Sequence, residues 1–275
     1  MALSDDILLG KDTAYSFDYD PSLLFPVPRA QGRSELSINT EALPFFGFDR
    51  WTAYEVSWLN SDGMPQVAIV DFLFECTSEN LVESKSFKLY LNSFNQTVME
   101  SVGDLVKVLE KDLSVVSGGN VTVNLFGVDD YAIQADDTFK CLDEISVKCT
   151  QYEPDARLLA ESVDLLNRGH YRLKSHLLRS LCPVTGQPDW ATVFIEYRGG
   201  IINESQLLAY IVSYRNHQGF HEQCVEQIYQ DISKLCKPDA LSVYARYTRR
   251  GGLDINPWRA NSMEFSPAVL RTSRQ

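Results

Sequence analysis

The chain carries the same segment twice. Residues 63–113 and 186–235 align: Gly63-Met64-Pro65-Gln66 with Gly186-Gln187-Pro188-Asp189, Glu83-Ser84 with Glu204-Ser205, Ser93-Phe94-Asn95 with Ser213-Tyr214-Arg215, and Glu100 with Glu222. A period of roughly 120 residues is far too long for a solenoid, whose repeats run to a few tens of residues. The 275 residues therefore divide into two similar modules of ordinary domain size. The expected domains are 1–150 and 151–275, joined near Thr150 to Pro154. The copies differ in chemistry. Where the second has Cys182 and Asp189, the first has Leu59 and Gln66. Where the first has Glu83-Ser84-Lys85-Ser86, the second has Glu204-Ser205-Gln206-Leu207. Complementary losses predict one active site assembled from both copies.

Each copy reads as strand, strand, helix, helix, strand and a further strand. Ala53 to Trp58 and Gln66 to Phe74 are strand-like and flank the turn Asn60-Ser61-Asp62-Gly63. Phe87, Tyr90, Leu91 and Phe94, then Val102, Leu105, Val106 and Leu109, make two helical stripes, and Val121 to Val128 returns to strand. In the second copy Ala191, Val193, Ile195 and Tyr197 alternate with Thr192, Phe194 and Glu196. Two helical stripes and the strand Leu241 to Tyr247 follow, before the turn Arg250-Gly251-Gly252. The fold class is α+β, each module an antiparallel sheet with two helices on one face. Residues 1–50, rich in Pro, Asp and Ser, read as an irregular arm.

A net charge of −12 repels phosphate backbones and argues against direct nucleic-acid binding. It leaves room for a local basic pocket, for which Lys85, Arg249 and Arg250 are candidates. The polar, acidic start does not resemble a signal peptide, and no apolar run approaches a bilayer-spanning length. Six cysteines form no C-x-x-C pair and no zinc spacing. The expectation is a cytoplasmic protein with reduced thiols, no membrane association and no metal.

Four segments could carry chemistry. Cys182 sits in a Gly- and Pro-tightened loop that can bring Asp189 back toward the thiol, an arrangement suited to covalent attack on an electrophilic carbon with a carboxyl moving the proton. The plainer reading is an inert buried cysteine. Phe220-His221-Glu222 precedes a helix. A carboxylate there can accept from two adjacent N–H donors, as on a guanine-like ring, or it can simply complement the helix dipole. Glu83 to Tyr90 opens a helix that Ser84 could cap, with free N–H groups and Lys85 facing an anion. It is otherwise an ordinary capped amphipathic helix. Thr248-Arg249-Arg250-Gly251-Gly252 suits a phosphate or is a charged hairpin turn. There is no G-x-G-x-x-G and no P-loop.

Together Glu83-Ser84-Lys85-Ser86-Phe87-Lys88-Leu89-Tyr90, Cys182-Pro183-Val184-Thr185-Gly186-Gln187-Pro188-Asp189 and Phe220-His221-Glu222 resemble the signature, catalytic loop and substrate motif of the QueF nitrile reductases. The likeness is to the long, two-module subgroup within the tunnelling-fold superfamily. The resemblance implies reduction of 7-cyano-7-deazaguanine to its 7-aminomethyl form with two NADPH, on the route to queuosine in tRNA. It implies Cys182 as nucleophile forming a covalent thioimide and Asp189 as general acid. Val82, Glu83, Ser84, His221 and Glu222 would meet the substrate, and Ser84, Lys85, Arg250 and Gly251 would meet NADPH.

Two other functions compete. A purine or pterin hydrolase on the same fold would need a zinc set, and the four histidines, 170, 176, 217 and 221, offer no convincing one by spacing. A non-catalytic purine-binding protein would have no use for Cys182, Asp189, His221 and Lys85 together. Since open sheet edges are a liability, modules of this kind are expected to close their sheets edge to edge in a homodimer.

Overall fold

The computed structural model describes residues 18–131, 138–267 and 271–275. They cluster into two compact units, one within Met1–Thr40, Phe48–Ala132 and Arg249–Asp254, the other within Glu41–Gly47, Ile133–Thr248 and Ile255–Gln275. The expected join at Thr150 to Pro154 falls inside the second unit.

In the first unit, the described part of the stretch expected to be an irregular arm, residues 18–40, carries regular structure. It holds β1 (Pro26–Pro28) and α1 (Arg29–Glu35). Buried arginines fasten it. Arg29 donates to Asp49 Oδ2 at 2.6 Å and to Ser78 Oγ at 3.1 Å, and Arg33 donates to the Cys76 carbonyl at 2.7 Å. A polar composition hid these anchors, because a buried charge is tolerated only with a partner that the local sequence does not reveal. The sheet follows, from β2 (Phe46–Leu59, of which residues 48–59 lie in this unit) and β3 (Pro65–Glu75). The short β4 (Asn80–Val82) pairs antiparallel with β1. Helices α2 (Ser84–Ser93) and α3 (Val102–Ser117) precede β5 (Val121–Phe126), which pairs antiparallel with β3. Helix α3 is capped by Ser101, whose Oγ accepts from Asp104 N at 3.1 Å, and is stopped by Gly118 in the left-handed region. Its buried line is Leu105, Leu109 and Leu113, while Val102, expected on that stripe, is exposed. Trp51, Phe72 and Phe74 of the sheet meet Phe87 of α2 edge-on. Each such aromatic pair adds about 0.5–1.5 kcal/mol to simple burial.

The second unit opens with the two-residue β6 (Lys140–Cys141), parallel to the long β7 (Val163–Leu181). Then come β8 (Pro188–Ile202), α4 (Glu204–Ser213), α5 (His221–Cys236), β9 (Ala240–Tyr247) and β10 (Leu253–Ala260). Strands β7 to β10 form an antiparallel run in the order β10-β9-β8-β7. This is the expected strand-strand-helix-helix-strand-strand order. The first unit carries its first five elements.

The duplication is visible atom by atom, and it corrects the sequence alignment. Helices α2 and α4 each have 10 residues, and α3 and α5 each have 16. Tyr90 donates to Asp112 in one unit, and Tyr210 to Asp231 in the other. Aspartates cap both leading 3-10 turns, Asp20 before Pro21–Leu23 and Asp155 before Ala156–Leu159, so the supposed arm belongs to the repeat. A β-bulge interrupts β2 between Ala53 and Val56 and β7 between Ser175 and Leu178. With the equal helices superposed end to end, Glu83 matches Asn203, not Glu204, and Gly103 matches Glu222, where Glu100 had been paired with it. At the loop, Leu59 N donates to Thr97 O and Leu181 N to His217 O. Leu59 therefore matches Leu181, and Asn60 matches Cys182. The second loop is one residue longer, between Leu181 and Pro188 where the first runs from Leu59 to Pro65, and this offsets the matching letters.

Candidate active site

Cys182 begins the turn between β7 and β8. Its N–H donates to Gln187 O at 2.9 Å, and Gly186 N donates back to Cys182 O at 2.9 Å. Gly186 supplies the left-handed φ of +66° that this turn requires. Leu181 N to His217 O (2.7 Å) and Gly219 N to Leu181 O (3.1 Å) bind the strand end to the segment leading into α5. The residue before Cys182 is thereby tied to the segment leading into that helix. Cys182 and Asp189 are both buried, and Asp189 lies opposite Ser180 across the β7–β8 pair.

His221 opens α5 with three contacts that hold its ring. Nε2 lies 3.4 Å from Asp189 Oδ2, and Nδ1 lies 3.3 Å from Ile255 O. The ring stacks on Tyr247 at 3.6 Å between centroids and 2° between planes. With Nδ1–H donating to the Ile255 carbonyl, Nε2 is left facing the Asp189 carboxyl. A carboxyl beside an imidazole nitrogen is a pair that can exchange a proton, which is what a general acid must do. Glu222 is buried in the first turn of the same helix. One turn on, Glu226 is locked by Arg259 (Nε 3.0 Å, Nη2 2.9 Å).

The neighbouring thiol, Cys224, is fully buried, and that burial pushes its pKa up to about 12. It stays protonated and is no rival nucleophile. Burial also raises Tyr247 well above its ordinary value, keeping its ring neutral under the imidazole.

His217, on the tether, titrates below the ordinary 6.5 because burial disfavours its charge. Between that lowered value and 6.5 the unfolded chain binds more protons, so stability rises with pH. The contribution is fully present above 6.5 and is lost as pH falls through the folded value. His176, also lowered by burial, acts in the same direction. We expect urea midpoints measured from about pH 8 down to pH 5 to fall on acidification, and His217→Gln to flatten that fall. An unchanged slope in the variant would remove His217 as the cause.

In the first unit the cap residue of α2 is Glu83, not Ser84. Its carboxylate accepts from Lys85 N at 2.9 Å and from Ser86 N at 2.7 Å. The N–H groups expected to face an anion are therefore occupied by the chain's own carboxylate. Val82 is buried in β4, and Ser84 and Lys85 are half-buried. The turn after β9 approaches this helix: a Cβ on Gly251 would lie 3.5 Å from the Lys88 stem, and φ there is +60°. Lys85 and Lys88, one turn apart, and Arg250 and Gly251 thus fall in one basic neighbourhood. Arg249 instead sits over the Tyr54 ring, 4.9 Å from its centroid.

At the corresponding places the first unit has Asn60 for Cys182, Gln66 for Asp189, Val102 for His221 and Gly103 for Glu222. None of the four chemical groups is duplicated. Tyr247 and the Ile255 carbonyl, which orient His221, went unnoticed in the sequence. Nothing in Tyr-Ala-Arg-Tyr marks a catalytic support, and a carbonyl has no sequence signal.

Residues 15–125 match the family described as "Nitrile reductase, 7-cyano-7-deazaguanine-reductase N-term", and residues 188–265 match that described as "QueF-like protein". A protein of Colwellia psychrerythraea named "NADPH-dependent 7-cyano-7-deazaguanine reductase" is 50% identical over 98% of this chain and 96% of its own. One of Burkholderia orbicola with the same name is 53% identical over 97% and 98%. A solved archaeosine synthase QueF-Like in the apo form aligns with 34% of this chain and 91% of its own, at 18% identity and a TM-score of 0.30, too weak a likeness to bear on the fold.

Proposed function

This chain belongs to the 7-cyano-7-deazaguanine nitrile reductase family, and from that premise we propose that it reduces the nitrile of 7-cyano-7-deazaguanine at Cys182 by a covalent route. It is an NADPH-dependent oxidoreductase acting on a small molecule. The observation that carries the covalent reading is the buried Asp189 carboxyl 3.4 Å from His221 Nε2, in the unit where the Cys182 turn is bonded to the segment leading into α5.

The Cys182 sulfur adds to the nitrile carbon. The Asp189–His221 pair delivers a proton to the nitrogen and takes up the one released by the Cys182 thiol, leaving a neutral thioimide. A nitrile accepts hydride poorly, and a protonated thioimide accepts it far better. NADPH supplies two hydrides per nitrile. Between the two hydrides that bound NADPH would supply, Cys182 would leave as thiolate and give an imine, and the Asp189–His221 pair would provide the proton that completes the aminomethyl group. Asp189 and His221 reload between steps, and burial keeps water from hydrolysing the intermediates. Glu222 and His221 grip the deazaguanine edge, with Val82, Glu83 and Ser84 as further substrate contacts, Glu83 through a carboxylate that also caps α2. Ser84, Lys85, Arg250 and Gly251 hold NADPH. The left-handed Gly251 turn beside the Lys88 stem fits a phosphate-bearing ligand. The product then enters queuosine synthesis.

Mixing the protein with the nitrile base and no NADPH tests this. We expect a new near-ultraviolet band and a mass increase equal to the base, both discharged when NADPH is added. Turnover without any adduct would overturn the covalent route. A zinc hydrolase finds less support: the Cys, Asp and His donors that converge, Cys141, Asp143 and His176, include neither Cys182 nor Asp189. No helix among the described residues is long and apolar enough to cross a membrane.

A further inference from the structure

We propose that Cys141, Asp143 and His176 form a binding site for a zinc-class divalent cation in the second unit, separate from the Cys182 chemistry. Their ligand atoms all lie within 4.8 Å of one another. Tetrahedral zinc, with Zn–S about 2.3 Å and Zn–N or Zn–O about 2.0–2.2 Å, places its donors roughly 3.3–3.7 Å apart. Small side-chain rotations close that difference.

The fold assembles the three from separate places. Cys141 ends the short parallel strand β6, opposite Lys174, and Leu142 N anchors it by donating to Lys174 O at 2.9 Å. The bulge in β7 between Ser175 and Leu178 turns His176 out of the regular ladder. Its N–H then donates to the Asp143 carboxylate at 3.0 and 3.3 Å. The first unit has the same bulge, with Tyr54 in place of His176, so the bulge is architectural and the donors are particular to this copy.

The groups behind the donors are arranged as they are behind known metal ligands. Ser175 Oγ donates to Asp143 Oδ1 at 2.7 Å and fixes the carboxylate. His176 Nδ1 is engaged by Thr192 Oγ1 at 2.9 Å, which leaves Nε2 to ligate. Thr192 is held in turn by Arg274 Nη2 at 3.1 Å. Such outer partners select the tautomer and orient the ring. A thiolate, an imidazole and a carboxylate favour zinc or cobalt over magnesium or calcium. Two negative ligands balance a dication. Bound metal would add a staple between β6 and the β7 bulge to the two-residue strand pairing and the Asp143 hydrogen bonds.

Cobalt reports such a site because a Co(II)–thiolate bond absorbs in the near ultraviolet. Titrating the full-length protein with Co(II) should give that band at one equivalent per chain, displaced by Zn(II). Cys141→Ser should abolish it, and His176→Ala should weaken Co(II) binding at least about tenfold. Cys182→Ala should leave it intact. Cys141 is exposed, so its serine variant folds normally, as circular dichroism will verify. No band, a band surviving Cys141→Ser, or a band lost with Cys182→Ala would each overturn the proposal.

Discussion

Cys182→Ala is expected to abolish the adduct with the nitrile base and to lower NADPH-consuming turnover by at least about a thousandfold. Loss of a nucleophile typically has at least that effect. The prediction is sharpest against its neighbours. Cys224, held protonated with a pKa near 12, cannot stand in for the missing thiolate. Asp189→Asn keeps the thiol and removes one side of the shared proton. Adduct should still form, slowly, while turnover falls by about a hundred- to ten-thousandfold. His221→Phe preserves the stack on Tyr247 and removes the nitrogen 3.4 Å from Asp189. It should therefore lower kcat more than it raises KM. Cys182→Ala turning over within about tenfold of the parent would end the covalent mechanism.

Arg259→Ala is expected to destabilise the second unit by about 3–5 kcal/mol, because it leaves the buried Glu226 carboxylate without its countercharge. Both side chains are essentially inaccessible, at 0% and 4% exposure. Arg259 also donates to the Trp258 carbonyl at 2.9 Å and lies over Phe45. The urea midpoint, followed by tyrosine and tryptophan fluorescence, measures the loss. Replacing both partners by apolar residues of similar volume, Arg259→Met with Glu226→Leu, should recover most of it. A single variant within about 1 kcal/mol of the parent would show the pair to be structurally idle. Since Glu226 sits one turn beyond Glu222 on α5, a surviving Arg259 variant should also show weakened substrate binding.

Much of the fold was legible in the sequence, because its signals are local. Alternation in Ala191 to Tyr197 and the helical stripe of Phe87, Tyr90 and Phe94 report which face is buried without reference to the rest of the chain. The Gly186 turn was equally plain, since only glycine sits easily at that φ. The alignment of the two copies was legible only approximately. By letter, Glu83 pairs with Glu204 and Glu100 with Glu222. Yet Glu83 is a cap that satisfies two helix N–H groups, and Glu222 corresponds to Gly103. Residue identity does not distinguish a capping carboxylate from a ligand-reading one; the partners of its oxygens do.

The sequence by itself determined that there are two modules of one design, that each alternates strands and helices in a set order, and that Cys182 and Asp189 occur in only one of them. Periodicity, turn residues and motif letters suffice for that. The tertiary structure alone decided which residues correspond across the duplication and that residues 18–40 are built into the first unit by buried arginines. It also decided that His221 is fixed by Asp189, Tyr247 and the Ile255 carbonyl, and that Cys141, Asp143 and His176 converge. In each case the deciding interaction joins residues far apart in the chain. Its strength comes from burial and hydrogen-bond geometry, quantities that exist only once the strands and helices have been packed.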